Sequence, residues 1–161
     1  MKLNYLFPHR YKKAAWIVFV PSVIFGFCVV AFDITPDFLQ GNVWALFADP
    51  VFGSEEHKKF FSVTNNNLLD EIMGVLIIVS GLVVSFSKEK IEDELIQKIR
   101  LESLVWATYL NYGILLLAII FVYDMSFLWV MIFNLFTIIL FFIIRFNWQV
   151  SKLKKTLVYE E

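Results

Sequence analysis

The two acidic residues that could most readily do chemistry are Asp70 and Glu71, which stand just after Asn65-Asn66-Asn67 and open a long apolar stretch. Acids at membrane depth are costly, so they can mark an ion or proton binding site. A simpler interpretation is favoured here, in which an Asn caps a helix and the two acids complement the positive end of its dipole. We treat Asp70 and Glu71 as candidate interfacial acids.

A second set of polar residues lies inside apolar stretches, and all its members fall roughly 9 to 16 Å from the same edge of the membrane at about 1.5 Å per residue. This candidate polar intramembrane layer consists of Ser22, Ser80, Asn111, Asn134 and Thr137. Inward-facing Asn and Ser side chains hydrogen-bond between helices. The layer is expected to hold the helices together. A polar transport path is the alternative, and it is disfavoured because no charged residue reaches the middle of an apolar stretch.

The third candidate is the charged segment 89–102. Ile91, Leu95 and Ile99 recur in it at helical spacing, and Glu94 precedes Lys98 by four residues. These spacings predict a helix that continues without a break into the next apolar stretch. Its candidate partner-binding residues are Glu92, Asp93, Glu94, Lys98 and Arg100.

Catalytic and cofactor chemistry find no support in the residues. The sequence has no Gly-rich phosphate loop, no nucleophile elbow and no His-Glu-x-x-His. His57 and the acids near it match no metal-ligand spacing, and Cys28, which lies in an apolar run, has no partner for an intrachain disulfide. A formal net charge of −1 gives no sign of direct nucleic acid binding. We expect no enzyme, no cofactor and no metal.

The elements that must position these residues are apolar helices. Of the 161 residues, 59% are hydrophobic and 18% are charged, a balance too apolar for an ordinary soluble domain. Four stretches are long enough to cross about 30 Å of hydrocarbon as helices. They cover residues 14–32, 68–86, 103–123 and 127–144. A signal peptide is the rival interpretation of the first stretch, and the long basic region before it argues against cleavage.

The positive charges segregate between the stretches. Twelve of the 14 Lys and Arg residues precede the first stretch, separate the second from the third, or follow the fourth; only Lys58 and Lys59 lie elsewhere. The positive-inside rule then places both termini in the cytoplasm. We expect a multi-pass protein of the bacterial inner membrane.

The predicted fold is all-α: a four-helix transmembrane bundle in a single membrane domain, 1–161, with both termini inside. In the outer loop, 33–67, Thr35-Pro36-Asp37 and Ser54 followed by two acids are helix start signals, so two short interfacial helices are expected there. The outer link 124–126 is so short that the last two helices should be antiparallel neighbours.

Part of the chain resembles small uncharacterised bacterial membrane proteins with several spans. The resemblance rests on the aromatic-rich third stretch, on Leu69-Asp70-Glu71-Ile72, and on two runs, Lys88-Glu89-Lys90-Ile91-Glu92-Asp93-Glu94 and Ile99-Arg100-Leu101-Glu102-Ser103. Some of those proteins accompany a helix-turn-helix regulator. The resemblance therefore implies a membrane partner that senses a signal or sequesters the regulator.

Two functions follow as hypotheses. The first is a non-enzymatic membrane protein that binds or regulates a protein partner through its cytoplasmic helix, since a rigid joint would let a tilting span move that helix. The alternative is a small transporter or channel with Asn111 and Asn134 along the path. Four helices leave little room for a cavity in one subunit, so the alternative requires a homo-oligomer.

Overall fold

The computed structural model of the chain describes residues 5–32, 34–48 and 59–159. Its elements in chain order are helix α1 (His9–Phe32), strand β1 (Gln40–Ala48), strand β2 (Lys59–Asn67), and helices α2 (Leu69–Ser85), α3 (Glu94–Phe121) and α4 (Asp124–Tyr159). The chain divides into two compact units. One comprises Met1–Pro21 with Leu76–Glu161, and the other is Ser22–Val75.

Three of the helices, α1, α3 and α4, are long and apolar enough to cross a membrane. Only 11% to 22% of the residues in their most apolar windows are buried inside the protein. The remaining apolar surface needs a solvent other than water, because burial of such side chains is worth about 25 cal/mol per Å². Helix α2 has 17 residues, so it reaches about 25 Å at 1.5 Å per residue.

Helices α3 and α4 pack against each other in the first unit, as the short link between them predicted. The link is Val122 and Tyr123, and α4 begins at Asp124 with a positive φ of 59°. Phe142 and Phe146 stack on one another with ring centroids 5.7 Å apart, and both are almost fully buried. They form the aromatic core at the Lys- and Arg-rich end of α4.

The outer loop, in its described residues, does not form the first of the two short helices that its start signals predicted. Its described part is an antiparallel hairpin in which β1 pairs with β2, with Trp44 opposite Val63 and Val43 opposite Thr64. Aromatic and β-branched residues suit a paired extended backbone. Because a helix start signal acts on a single turn, it is overridden where the following residues can pair across two strands.

The first start signal still leaves a trace. A 3-10 helix of three residues, Asp37–Leu39, follows Pro36, and strand β1 begins directly after it at Gln40. Gly41 and Asn42 come next and favour a helix poorly, so the turn does not propagate. The second start signal, at Ser54, lies outside the described residues, and the structure beyond it is already strand at Lys59.

The charged segment is helical over only part of its predicted length. The helix starts at Glu94 rather than Glu89, because the Asp93 carboxylate accepts a hydrogen bond of 2.7 Å from the Ile96 N–H and so caps the helix. From Glu94 onward α3 runs without interruption to Phe121, which confirms the predicted continuity with the apolar stretch.

Candidate functional site

Several stretches of the first unit meet at its Lys- and Arg-rich end. The residues before α1 pair with the link after α2, since the Phe7 N–H donates to the Phe86 carbonyl and the Lys88 N–H donates to the Phe7 carbonyl, both at 2.9 Å. The His9 ring Nδ1 lies 2.8 Å from the Lys88 carbonyl. Because a carbonyl only accepts, this His9 nitrogen carries the proton. The pairing brings the basic start of α1 against an acidic link.

The first ion pair joins Lys12 of α1 to Glu89 of the link. Both residues are buried, with 8% of each exposed. A third group, Lys154 of α4, approaches the other Glu89 oxygen at 3.6 Å, and its own side chain is mostly in solvent. Glu89 therefore connects α1 to the end of α4.

The second ion pair joins Arg100 of α3 to Glu92 of the same link. The Arg100 Nη2 donates to both Glu92 oxygens at 3.1 Å, and its Nη1 donates to the Ser87 carbonyl at 3.4 Å. Glu92 also accepts from the Glu89 N–H at 2.8 Å, so the two pairs are linked. The guanidinium lies 5.0 Å from the centre of the Phe146 ring. We call Lys12, Glu89, Glu92 and Arg100 the ion cluster.

Burial decides what the ion cluster can do. Only 3% of Arg100 is exposed, and its Nε is a buried donor without a partner among the described residues. Two charge pairs out of water add little net stability compared with apolar residues, but removing one member leaves an uncompensated charge. The cluster therefore fixes the geometry of α1, the link and α3, which its four members join. It contains no nucleophile with a base in reach.

The surroundings of the Glu89 carboxyl lower its pKa. Burial on its own would raise its pKa, but the hydrogen bond and charge of Lys12, together with Lys154 and His9, outweigh burial and hold the pKa below its ordinary value of 4.5. A carboxyl whose pKa is lower in the folded state stabilises the fold above the unfolded-state pKa, and this stabilisation is lost as the pH falls through the folded-state pKa.

The unfolding midpoint of the purified protein should therefore drop as the pH is lowered below about 4.5. Glu89→Gln should lower the midpoint at pH 7 and flatten its acid decline, because the variant has already lost the titrating group. The difference between the two pH curves isolates Glu89 from the other acids. Parallel curves for wild type and variant would show that Glu89 does not contribute.

The polar layer is connected in only one place among its described members. Asn111 of α3 and Asn134 of α4 hydrogen-bond reciprocally, Nδ2 to Oδ1, at 3.5 and 3.3 Å. Ser80 and Thr137 instead donate to the carbonyl four residues earlier in their own helices. Ser22 is buried and belongs to the second unit. The layer is thus one interhelical amide pair with local hydroxyl bonds beside it.

Asn111→Leu should destabilise the protein by about 1 to 2 kcal/mol, because it leaves the half-buried Asn134 amide without its hydrogen-bond partner. Asn111→Leu combined with Asn134→Leu should recover part of this loss, since no amide is then left unpaired. Unfolding in bicelles measures both. If the double variant loses as much stability as Asn111→Leu and Asn134→Leu lose separately, added together, the amides do not act as a pair.

The interfacial acids form a local capping arrangement in the second unit. The Asn67 Oδ1 accepts from the Leu69 N–H at 3.0 Å, as the Asn cap predicted, and Asn66 Nδ2 donates to Glu71 at 2.6 Å. Asp70 is exposed and also interacts with other groups. These contacts start α2 from the end of β2.

The candidate partner-binding residues divide into two groups. Glu92 and Arg100 are held in the ion cluster, and Asp93 caps α3. Glu94 and Lys98 remain exposed on the first turns of α3. The sequence predicted all five on one helix; the structure leaves Glu92 and Asp93 before the start of α3 and turns Arg100 inward.

One signal for the buried Arg100 was present in the sequence. Ile96, Ile99, Arg100 and Ser103 share one helical face, and all four are buried. A cation within the apolar stripe of a helix predicts a buried counter-ion. Which carboxylate becomes the counter-ion of Arg100 depends on the fold of the link, so the sequence could not identify it. The other pair, Lys12 with Glu89, joins residues 77 positions apart, and no local pattern could predict it.

Comparison of the chain with protein-family models, with curated proteins and with solved structures finds no match. The class of protein is therefore defined by the helices. Three of them are long and apolar enough to span a membrane, which indicates a membrane protein with a mainly helical fold.

Proposed function

We propose that the chain is a non-enzymatic protein of the bacterial inner membrane, with four spans and both termini in the cytoplasm, that binds a protein partner through the cytoplasmic start of α3. The observation that supports the partner surface most directly is that the ion cluster and the Asp93 cap fix this helix start, while one of its faces remains exposed. A rigid, exposed surface can bind a partner without the entropic cost of becoming ordered.

The exposed face of this helix start mixes apolar and charged side chains. Leu95, Lys98 and Glu102 recur at helical spacing on it, and 48% of Leu95 is exposed. Ile91, in the link just before α3, is 78% exposed. Apolar residues flanked by charges of both signs are typical of a protein interface with a polar rim. We call Leu95, Lys98 and Glu102 the partner face.

The fourth span of the proposal is α2. Its 17 residues are at the short end of the range for a spanning helix. The segregation of Lys and Arg supports the span, because without it the basic start of the chain would lie on the opposite side from Lys88, Lys90 and the basic end of α4. The resemblance to small bacterial membrane proteins with a regulator partner is consistent with this topology.

The alternative of a homo-oligomeric transporter relies on Asn111 and Asn134. These amides satisfy each other across α3 and α4, so neither needs a transported species as a partner. This pairing favours a packing role for them. The partner-binding proposal is therefore the stronger one.

Site-specific photo-cross-linking in the membranes of the source organism tests the proposal. A photoreactive phenylalanine analogue at Leu95 should give a discrete protein adduct that mass spectrometry can identify. Glu102→Lys should reduce this adduct severalfold, because it reverses a charge on the partner face, whereas Lys155→Glu on the exposed end of α4 should leave it unchanged.

The same analogue at Leu117, an exposed position in the apolar part of α3, provides the background for lipid and random contacts. If Leu95 gives no more protein adduct than Leu117, the partner face has no partner and the proposed function is wrong.

A further inference from the structure

A cavity of about 520 Å³ lies beside the start of α3 in the first unit. Its walls are Tyr5 and Leu6 before α1, the residue Phe86 that follows α2, and a face of α3 that includes Leu101 and Leu104. This face of α3 lies next to the partner face, and Lys98 is the one residue that belongs to both. A space of this size accommodates a chain-like apolar group.

The lining of the cavity changes character along α3. Glu94, Gln97 and Lys98 line its first part, and Leu101 and Leu104 line the rest. Lys98 and Leu104 are six residues apart, which corresponds to about 9 Å along the helix axis. The cavity therefore has a polar end toward the start of α3 and an apolar end toward its middle.

This order matches the direction of a lipid in the inner leaflet. The predicted third span begins at residue 103, which places Leu104 in the first turn of hydrocarbon and Lys98 in the headgroup layer. Because this placement uses the proposed spans, the inference depends on the topology in the proposed function. It does not depend on the protein partner.

The polar end carries charges of both signs. Lys98 supplies an ammonium that attracts a phosphate, and Glu94 and Gln97 supply oxygens that accept from an N–H donor. Arg100 also lines the cavity, but Glu92 already holds its charge. A headgroup with a phosphate and a primary ammonium complements both Lys98 and Glu94, whereas a quaternary ammonium has no N–H to donate.

We propose that this cavity binds one inner-leaflet phospholipid whose headgroup contains a phosphate and a primary ammonium, with an acyl chain against Leu101 and Leu104. The bound lipid would complete the cytoplasmic edge beside the partner face.

Native mass spectrometry of the full chain released from nanodiscs tests the site. The nanodiscs contain equal amounts of ethanolamine, choline and glycerol phospholipids with identical acyl chains. One ethanolamine lipid should be retained in about fivefold preference to choline, the ratio that corresponds to roughly 1 kcal/mol from a charge-assisted hydrogen bond. Leu104→Trp should abolish retention by filling the apolar end, and Leu117→Trp should not.

Glu94→Gln separates recognition of the headgroup from non-specific binding of acyl chains in the apolar end of the cavity. It should remove the preference for ethanolamine over glycerol while leaving some lipid bound. Equal retention of all three lipids, retention unaffected by Leu104→Trp, or a protein dimer that disappears in Leu104→Trp would each overturn the proposal. Maleimide labelling of single cysteines in intact cells, where the membrane is sealed, distinguishes a wrong lipid site from a wrong topology.

Discussion

Arg100→Met will lower the free energy of unfolding by roughly 3 kcal/mol or more, because removal of one member of a buried ion pair leaves the other uncompensated. The Arg100 and Glu92 side chains are only 4% and 15% exposed, so water cannot replace the lost partner. Met retains much of the apolar stem that packs near Phe146. Unfolding in bicelles at neutral pH measures the loss.

Two further variants separate the missing charge from the missing side chain. Arg100→Met with Glu92→Gln should recover a large part of the stability, since the double variant buries no unpaired charge. Lys152→Met removes an exposed cation from α4 and should change stability by no more than about 0.5 kcal/mol. A double variant as unstable as Arg100→Met would mean that packing, and not charge, explains the loss.

The second large effect is expected at Gly81, where α2 closely approaches two other helices. A Cβ at this position would lie 2.8 Å from Cγ2 of Ile139 in α4 and 3.0 Å from Cε2 of Phe19 in α1. These distances are too short for carbon atoms, so a side chain forces the helices apart. Gly81→Ala should cost about 1 to 3 kcal/mol, and Gly81→Val should cost more.

Gly113 offers the matched control. It also lies inside an apolar helix, but a Cβ there meets no atom within 4 Å. Gly113→Ala should be neutral or stabilise by up to about 1 kcal/mol, because Ala has the higher helix propensity. If both substitutions have the same effect on the unfolding midpoint, the close approach at Gly81 is not a packing constraint.

Much of the helical architecture could be predicted from the sequence because it depends on local composition. Each apolar stretch became a helix, and the Asn111–Asn134 pair follows from the rise per residue and the short outer link. The hairpin could not be predicted in this way. Its strands are stabilised by pairing across ten or more intervening residues, whereas the Pro36 start signal acts on one turn.

The ion cluster was also beyond local reasoning. Glu89 and Glu92 were predicted on the same helix as Arg100, but they lie in the link before it, and their actual partners are Lys12 of α1 and Arg100 of α3. Only the folded link, with Asp93 delaying the start of α3 to Glu94, brings these charges together. The helical face shared by Arg100 and Ile96 indicated burial, but it could not identify the counter-ion.

The most direct test of the four-span topology is the accessibility of single cysteines in a Cys28→Ser background. Asn65→Cys and Lys90→Cys flank α2 at exposed positions. In intact cells a membrane-impermeant maleimide should label Asn65→Cys and Ser126→Cys, while Lys90→Cys should react only after the membrane is opened. Labelling of both Asn65→Cys and Lys90→Cys from the same side would show that α2 does not cross the membrane.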